Sequence, residues 1–249
     1  MTEISEDLAA RFSPKAEVVA FTGAGMSAES GVPTFRGPEG IWRKFKPEEL
    51  ADMGAFMRNP ELVWEWYAHR RTIIASVQPN DGHRALVALE RHVGRLTVVT
   101  QNIDNLHRRA GSGVVHELHG NIERSYCMSC GTPAVEIPVL HKGAVPRCAC
   151  GGILRPDVVW FGEMLPEEEW RLSVSAAERA DVFLSIGTSA VVYPAASLPS
   201  IAKKAGAYLV EVNPEPTPIT EFADEFLQGP SGTVLPALVQ RVASRANRA

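Results

Sequence analysis

Four short, near-continuous apolar runs limit what this chain can fold into: 17–22 (EVVAFT), 95–100 (RLTVVT), 181–186 (DVFLSI) and 207–212 (AYLVEV). A strand that is apolar on both sides has no solvated face, so it belongs inside a parallel sheet covered on both sides. The intervening stretches supply the covers. Helical patterns are predicted over 4–12, 47–58, 61–77, 83–92, 105–110, 166–179, 194–205 and 234–246. Their ends carry recognisable signals: Asn59-Pro60 as cap and first turn, Asp81 as a cap, Glu167-Glu168-Glu169 where the helix dipole favours acids, Gly111 and Gly206 as stops. Within 61–77, Leu62, Trp66, Ile73 and Val77 mark the expected apolar stripe, while Tyr67 and Arg70, three apart, share a side. Shorter strands are predicted at 114–118, 158–161 and 222–227. Strands alternating with helices give an α/β fold with a mainly parallel sheet.

Each long apolar run stops on small or polar residues: Gly23-Ala24-Gly25, Gln101-Asn102-Ile103-Asp104, Gly187-Thr188-Ser189 and Asn213. Ligands of open parallel sheets bind outside the carboxyl ends of the strands, so four such clusters outline one crevice. The first cluster opens a G-x-G-x-x-A pattern, Gly23 to Ala28. There one glycine permits a tight turn, another lets the backbone approach a pyrophosphate, and the next helix aims its unpaired N–H groups at the anion. The same residues also suit a plain strand-turn-helix whose small side chains allow close packing. A glycine- and proline-bounded loop follows, carrying Phe35 and Arg36.

The formal net charge of −4 argues against a stable nucleic-acid partner, which calls for a basic stripe. No apolar run approaches the roughly 20 residues of a membrane span. The first residues, MTEISEDLAARFSPK, lack the charged, apolar, small-residue order of a secretory signal, so a reducing cytoplasm is expected. There the four cysteines read as thiols or metal ligands before disulfides. Cys127-Met128-Ser129-Cys130 is one pair, and Cys148-Ala149-Cys150, one residue tighter than usual, follows after residues 131–147. Two pairs at this separation suit a closed tetrahedral zinc site of four thiolates, structural rather than catalytic. Redox thiols are the competing reading, but no helix pattern follows Cys130.

Seven histidines are candidates for acid–base work. His69, His92, His107 and His141 fall in surface-like contexts, His83 in a capping position and His116 within a strand. His119 differs: it ends a strand, precedes Gly120 and shares the rim of residues 101–104. Imidazole serves as a base near neutral pH, although many strand-end histidines only hydrogen-bond.

The pieces GAGMSAESGVPTFRG, TQNIDNLHRRAG, ELHGNI, the four cysteines, VVWFGE, IGTSAVVYPA and VEVN occur in that order from Gly23 to Asn213. In this combination the chain resembles the sirtuins, NAD-dependent protein-lysine deacylases. The resemblance implies a Rossmann-like parallel-sheet domain (1–33, 86–122 and 155–249) with a small inserted domain. The insert combines a cofactor-loop and helical module (34–85) with a zinc module (123–154). It further implies NAD as a consumed co-substrate and acyl-lysine proteins or peptides as partners. The acyl oxygen would displace nicotinamide from the ribose, and His119 would deprotonate a ribose hydroxyl. The products would be free lysine, nicotinamide and 2′-O-acyl-ADP-ribose. Asn102 would hold water and ribose, Gln101 the ribose, and Asp104 the nicotinamide amide. Cofactor contacts are also implied for Gly23, Ala24, Gly25, Ser27, Phe35, Arg36, Trp42, Ile103, Gly187, Thr188, Ser189, Asn213, Pro214, Glu215 and Ser231. Val159, Trp160, Phe161 and Gly162 would pair with the peptide as an added strand.

Thr34 and the Tyr67-Ala68-His69-Arg70 pair resemble class III members, which implies succinyl, malonyl or glutaryl substrates with some deacetylation remaining. An acyl carboxylate buried in an apolar pocket calls for a bidentate cation and a neutral donor, which arginine and tyrosine supply. An ordinary NAD-linked dehydrogenase is the rival enzyme, but the acid expected about 20 residues past the glycines is missing around Gly40-Ile41-Trp42-Arg43. A non-enzymatic zinc-ribbon binding module is the third alternative.

Overall fold

The computed structural model describes residues 4–34, 50–134 and 145–246. Among these, six strands form one parallel sheet: β1 (Glu17–Thr22), β2 (Arg95–Thr100), β3 (Val115–Glu117), β6 (Val182–Ile186), β7 (Tyr208–Asn213) and β8 (Glu225–Gln228). The order across the sheet is β3-β2-β1-β6-β7-β8. The chain thus builds outward from β1 in one direction, then returns to β1 and builds outward in the other. The reversal leaves a crevice at the carboxyl ends of β1 and β6, the ligand position of Rossmann-like sheets.

Alternate residues of each strand enter separate cores. Val18 and Ala20 of β1 join Leu96, Val98, Leu184 and Val210 under helices α1 (Glu6–Arg11), α5 (Asp81–Leu89) and α9 (Ser231–Ala246). Val19 and Phe21 face the other way, with Val99, Phe183 and Leu209, under α7 (Glu167–Arg179) and α8 (Leu198–Ala205). Burial on both faces is why these strands read as continuous apolar runs.

A third core lies apart from the sheet. It joins α3 (Met53–Arg58) and α4 (Pro60–Ser76) to an antiparallel pair, β4 (Gly120–Cys127) and β5 (Leu154–Val158). Phe56, Val63, Trp64, Leu154 and Trp160 are buried there. Three expectations need correction in this region. The buried face of α4 is Val63, Trp64, Tyr67, Arg70 and Ile74, whereas Leu62 is exposed and Trp66 half-buried. The helix turns that way because Trp64 Nε1 donates to the Leu154 carbonyl (2.9 Å) and its polar pair lines a cleft. The α5 cap is Asn80 rather than Asp81: its Oδ1 accepts from Gly82 and His83 N–H, and His83 Nδ1 accepts from the Asn80 N–H. Finally, the strand expected at 158–161 is Leu154–Val158, and Phe161 makes only an isolated parallel bridge to Asp52.

Candidate active site

The turns after β1, β2, β6 and β7 converge with α4 and residues 158–163 on one cleft of about 640 Å³. Gly23, Ala24, Gly25, Tyr67, Arg70, Gln101, Asn102, Ile103, His119, Val159, Trp160, Phe161, Gly162, Gly187, Thr188, Ser189, Asn213, Pro214 and Glu215 all line it. Ser27, Asp104 and Ser231 do not; they are buried just behind it. Phe35, Arg36 and Trp42, with His141, lie outside the described residues. Trp66, Glu163 and Tyr193 line the cleft without being marked as site residues by the sequence. Trp66 was hidden by its assignment to the apolar stripe, and Glu163 becomes significant only through its contact with Arg155.

The β1 and β6 turns touch directly. A Cβ on Gly25 would sit 2.8 Å from the Gly187 Cα, and Gly187 itself has φ +58°. Close packing of two backbones therefore requires these glycines independently of any ligand. Side chains then stitch the turns together. Gln101 Nε2 donates to Thr188 Oγ1 (2.9 Å), and Asn102 Nδ2 donates to the Gly23 carbonyl (2.9 Å) and Ser27 Oγ (3.2 Å). Because a carbonyl only accepts, the Asn102 amide has one orientation, with Oδ1 left as an acceptor.

His119 Nδ1 lies 2.9 Å from the Gln101 carbonyl. The same rule puts the proton on Nδ1 and a lone pair on Nε2. Burial lowers the imidazole pKa below its ordinary value, opposed in part by that hydrogen bond. A neutral imidazole with a bare Nε2 in a cleft is equipped to take a proton. Behind it, Asp104 Oδ1 accepts from the Leu106 N–H (3.0 Å), at the start of α6 (Leu106–Ala110), and burial raises its carboxyl pKa.

His107 contradicts the expected surface context. It is buried on α6, with Nε2 2.9 Å from Thr22 Oγ1, which in turn donates to Thr100 Oγ1 at 2.8 Å. Its ring lies 4.8 Å from that of His83, and desolvation holds both imidazoles neutral, His83 down to about 4. His69 is exposed, and His116 pairs with Glu169 (2.9 Å), a structural contact.

Across the cleft, Tyr67 and Arg70 are both buried on α4. Burial raises the Tyr67 pKa and lowers that of Arg70; Arg70 is also attracted by Tyr67 and Asp104. Its guanidinium stacks 4.8 Å from the Trp66 ring.

At the far end of β4 and β5, the four cysteine Sγ atoms lie within 4.8 Å of one another. Three of the separations are 3.5, 3.8 and 3.5 Å (Cys127–Cys150, Cys130–Cys148, Cys130–Cys150). A tetrahedron with Zn–S near 2.3 Å has S···S edges of about 3.8 Å, so thiolates in this arrangement fit Zn2+. The tight Cys148-Ala149-Cys150 pair closes the set as well as the looser one.

Comparison with known proteins agrees with this geometry. The family described as "Sir2 family" matches residues 23–194. A Pyrobaculum aerophilum protein named NAD-dependent protein deacylase 2 is 55% identical over 233 residues, covering 91% of each chain. The NAD-dependent protein deacylase of Mycobacterium tuberculosis is 49% identical over 231 residues, 90% of this chain and 97% of that one. Among solved structures, a Sir2 homolog–NAD complex superposes with TM-score 0.90 at 44% identity, covering 98% of this chain and 96% of that one. A Sir2–p53 peptide–NAD+ complex gives 0.79 at 35%, covering 93% and 94%.

Proposed function

The chain belongs to the Sir2 family and is an NAD-dependent protein deacylase, and from that premise we propose that it removes acidic acyl groups from lysine in preference to acetyl. One observation carries the preference: Tyr67 and Arg70, buried on one face of α4, line the same cleft as His119 and Asn102. A buried guanidinium and phenol beside the reacting groups suit an acyl chain that ends in a carboxylate.

NAD, consumed as co-substrate, would supply a ribose carbon that bonds the acyl oxygen as nicotinamide leaves, and the acyl group would end on the ribose 2′-oxygen. In our reading, Nε2 of His119 receives the proton of a ribose hydroxyl. Asn102 Oδ1 accepts from ribose or water, and Gln101 backs the ribose. Asp104 and Ile103 hold the nicotinamide amide, with Ser27 behind them. The turns at Gly23-Ala24-Gly25, Gly187-Thr188-Ser189 and Asn213-Pro214-Glu215 take the phosphates and adenosine. Phe35, Arg36 and Trp42 would complete the cofactor loop, and Ser231 the adenine end. The cysteine site, closed by four thiolates, holds zinc for structure alone.

Peptide and protein substrates would enter along Val159, Trp160, Phe161 and Gly162. The N–H groups of Val159, Trp160 and Phe161 are engaged by the His119 carbonyl, Glu163 Oε2 and the Ala51 carbonyl. A peptide strand would then pair with main-chain groups of residues 159–162 that these contacts do not use. The division into sheet domain (1–33, 86–122, 155–249), helical module (34–85) and zinc module (123–154) draws support from the separate core around Trp64 and Trp160. Cysteines gathered as metal ligands rather than paired in disulfides are in keeping with a reducing cytoplasm, and among the described residues no helix is long and apolar enough to cross a membrane.

Arg70→Met is the direct test. Loss of a charge-assisted hydrogen bond predicts a drop in desuccinylation of roughly 10- to 100-fold, with deacetylation changed less than about threefold. Equal losses on both substrates would remove Arg70 from acyl recognition.

A further inference from the structure

Tyr67 is held from behind. Its hydroxyl oxygen lies 2.9 Å from Nε1 of Trp160. An indole N–H can only donate, whereas a phenol donates and accepts, so this bond has one possible polarity. Trp160 donates and Tyr67 accepts. The tyrosine proton is thereby excluded from the bond and directed elsewhere. Burial raises the Tyr67 pKa, so the hydroxyl keeps that proton at neutral pH.

Trp160 is itself fixed by a closed loop of contacts. The Arg155 guanidinium stacks 3.7 Å from the indole centroid. Arg155 forks onto Glu163 through Nη1 and Nη2 at 2.5 and 2.9 Å. Glu163 Oε2 then accepts the backbone N–H of Trp160 at 2.8 Å. Ring plane and main chain are both pinned, which gives the indole N–H a single direction. Trp160, Tyr67, Arg70 and Glu163 all line the one cleft.

We propose that Trp160 is a positioning residue for acyl selection: its indole N–H turns the Tyr67 hydroxyl so that the phenolic proton faces the distal carboxylate of an acidic acyl-lysine beside Arg70. This rests on Tyr67 and Arg70 being the carboxylate-reading pair. Without the indole donor, the hydroxyl is free to present lone pairs to that carboxylate, which repels them. An acetyl group has no distal oxygen to meet the proton, so its turnover does not depend on the direction of that proton.

Trp160→Phe keeps an aromatic platform for Arg155 and removes the donor. Steady-state kinetics are compared on succinyl- and acetyl-lysine forms of one peptide. Because Trp160 also lies on the peptide's path, the acetyl KM serves as the reference for that shared effect, and it is the succinyl-to-acetyl KM ratio that should rise about threefold to tenfold, the size of one neutral hydrogen bond. Tyr67→Phe should raise that ratio comparably, and the double variant no further than Tyr67→Phe alone. Equal KM increases on both peptides, or a double variant whose effect is the product of the singles, would overturn the positioning role. If Arg70→Met leaves the succinyl-to-acetyl ratio unchanged, the pair does not read the carboxylate and the proposal falls with it. If Arg70→Met shifts the ratio and Trp160→Phe does not, only the positioning role falls. Should Trp160→Phe fail to fold, the bond is tested in the 15N-tryptophan-labelled Tyr67→Phe protein. One of the five indole N–H resonances must then move upfield relative to the parent, and no movement overturns the inference.

Discussion

At the scale of single residues, tautomers and protonation states follow from which partners can only accept. His119 is the clearest instance. Its position at a strand end marked it as a candidate, but the Gln101 carbonyl that fixes its tautomer is a tertiary neighbour no local pattern reveals. As a base, His119 would act in the neutral imidazole form, and burial lowers its pKa from the ordinary 6.5. Activity should therefore be full at neutral pH and fall only as pH drops below 6.5. A pH profile of kcat/KM whose acid limb lies above 6.5 would contradict the assignment of His119 as base. His119→Ala should lower turnover by about 100-fold or more while leaving the melting temperature nearly unchanged. His107 shows the opposite failure of legibility. In Leu106-His107-Arg108-Arg109 it reads as one more polar surface residue, yet hydroxyls at the ends of β1 and β2 give it a buried partner. His83 and His107 are neutral in the fold, while the unfolded chain protonates them near 6.5. Below that pH the unfolded chain binds protons the fold refuses. Stability should fall as pH drops from 6.5 toward 4, by up to about 1.4 kcal/mol per pH unit for each histidine. Melting curves that rise on acidification over this range would exclude the effect.

At the scale of elements, legibility tracked how many faces an element buries. The strands of the parallel sheet bury both, and the runs 17–22 and 95–100 coincide with β1 and β2. Strand β5 reads LRPDV, and the expected strand at 158–161 begins four residues late because the arginine and proline hide its start. That arginine is buried between the Trp160 and Tyr126 rings, forking onto Glu163 and donating to the Val158 carbonyl. The stripe expected for helix α4 faces the wrong way, since Tyr67 and Arg70 occupy buried positions where apolar residues would normally signal burial. The paired β1 and β6 turns yield a stability prediction. In Gly187→Ala a Cβ would lie 2.4 Å from the Met26 nitrogen at a left-handed φ, so the variant should lose on the order of 1–3 kcal/mol and bind NAD weakly. A melting temperature equal to the parent's would show that the turns can separate. In the cysteine module, four thiolates would hold one Zn2+ at the far end of β4 and β5. A strong chelator should lower the melting temperature by several degrees and abolish activity, and zinc should restore both. An indifferent melting curve would argue against structural metal.

At the scale of the whole molecule, the strand order does the positioning. Because the chain reverses its direction of build at β1, the turns after β1, β2, β6 and β7 open into one cleft. The third core, around Trp64 and Trp160, adds α4 as the opposite wall. The sequence patterns carried the sheet and the crevice; the opposite wall, with Tyr67, Arg70 and Trp160, depends on tertiary contacts. The most direct measurement is mass spectrometry of otherwise identical succinyl- and acetyl-lysine peptides incubated with this protein and NAD. Each turnover should release one nicotinamide, with the acyl group recovered on ADP-ribose, and kcat/KM should be higher for the succinyl peptide. Faster turnover of the acetyl peptide, with the succinyl peptide left intact, would contradict the account.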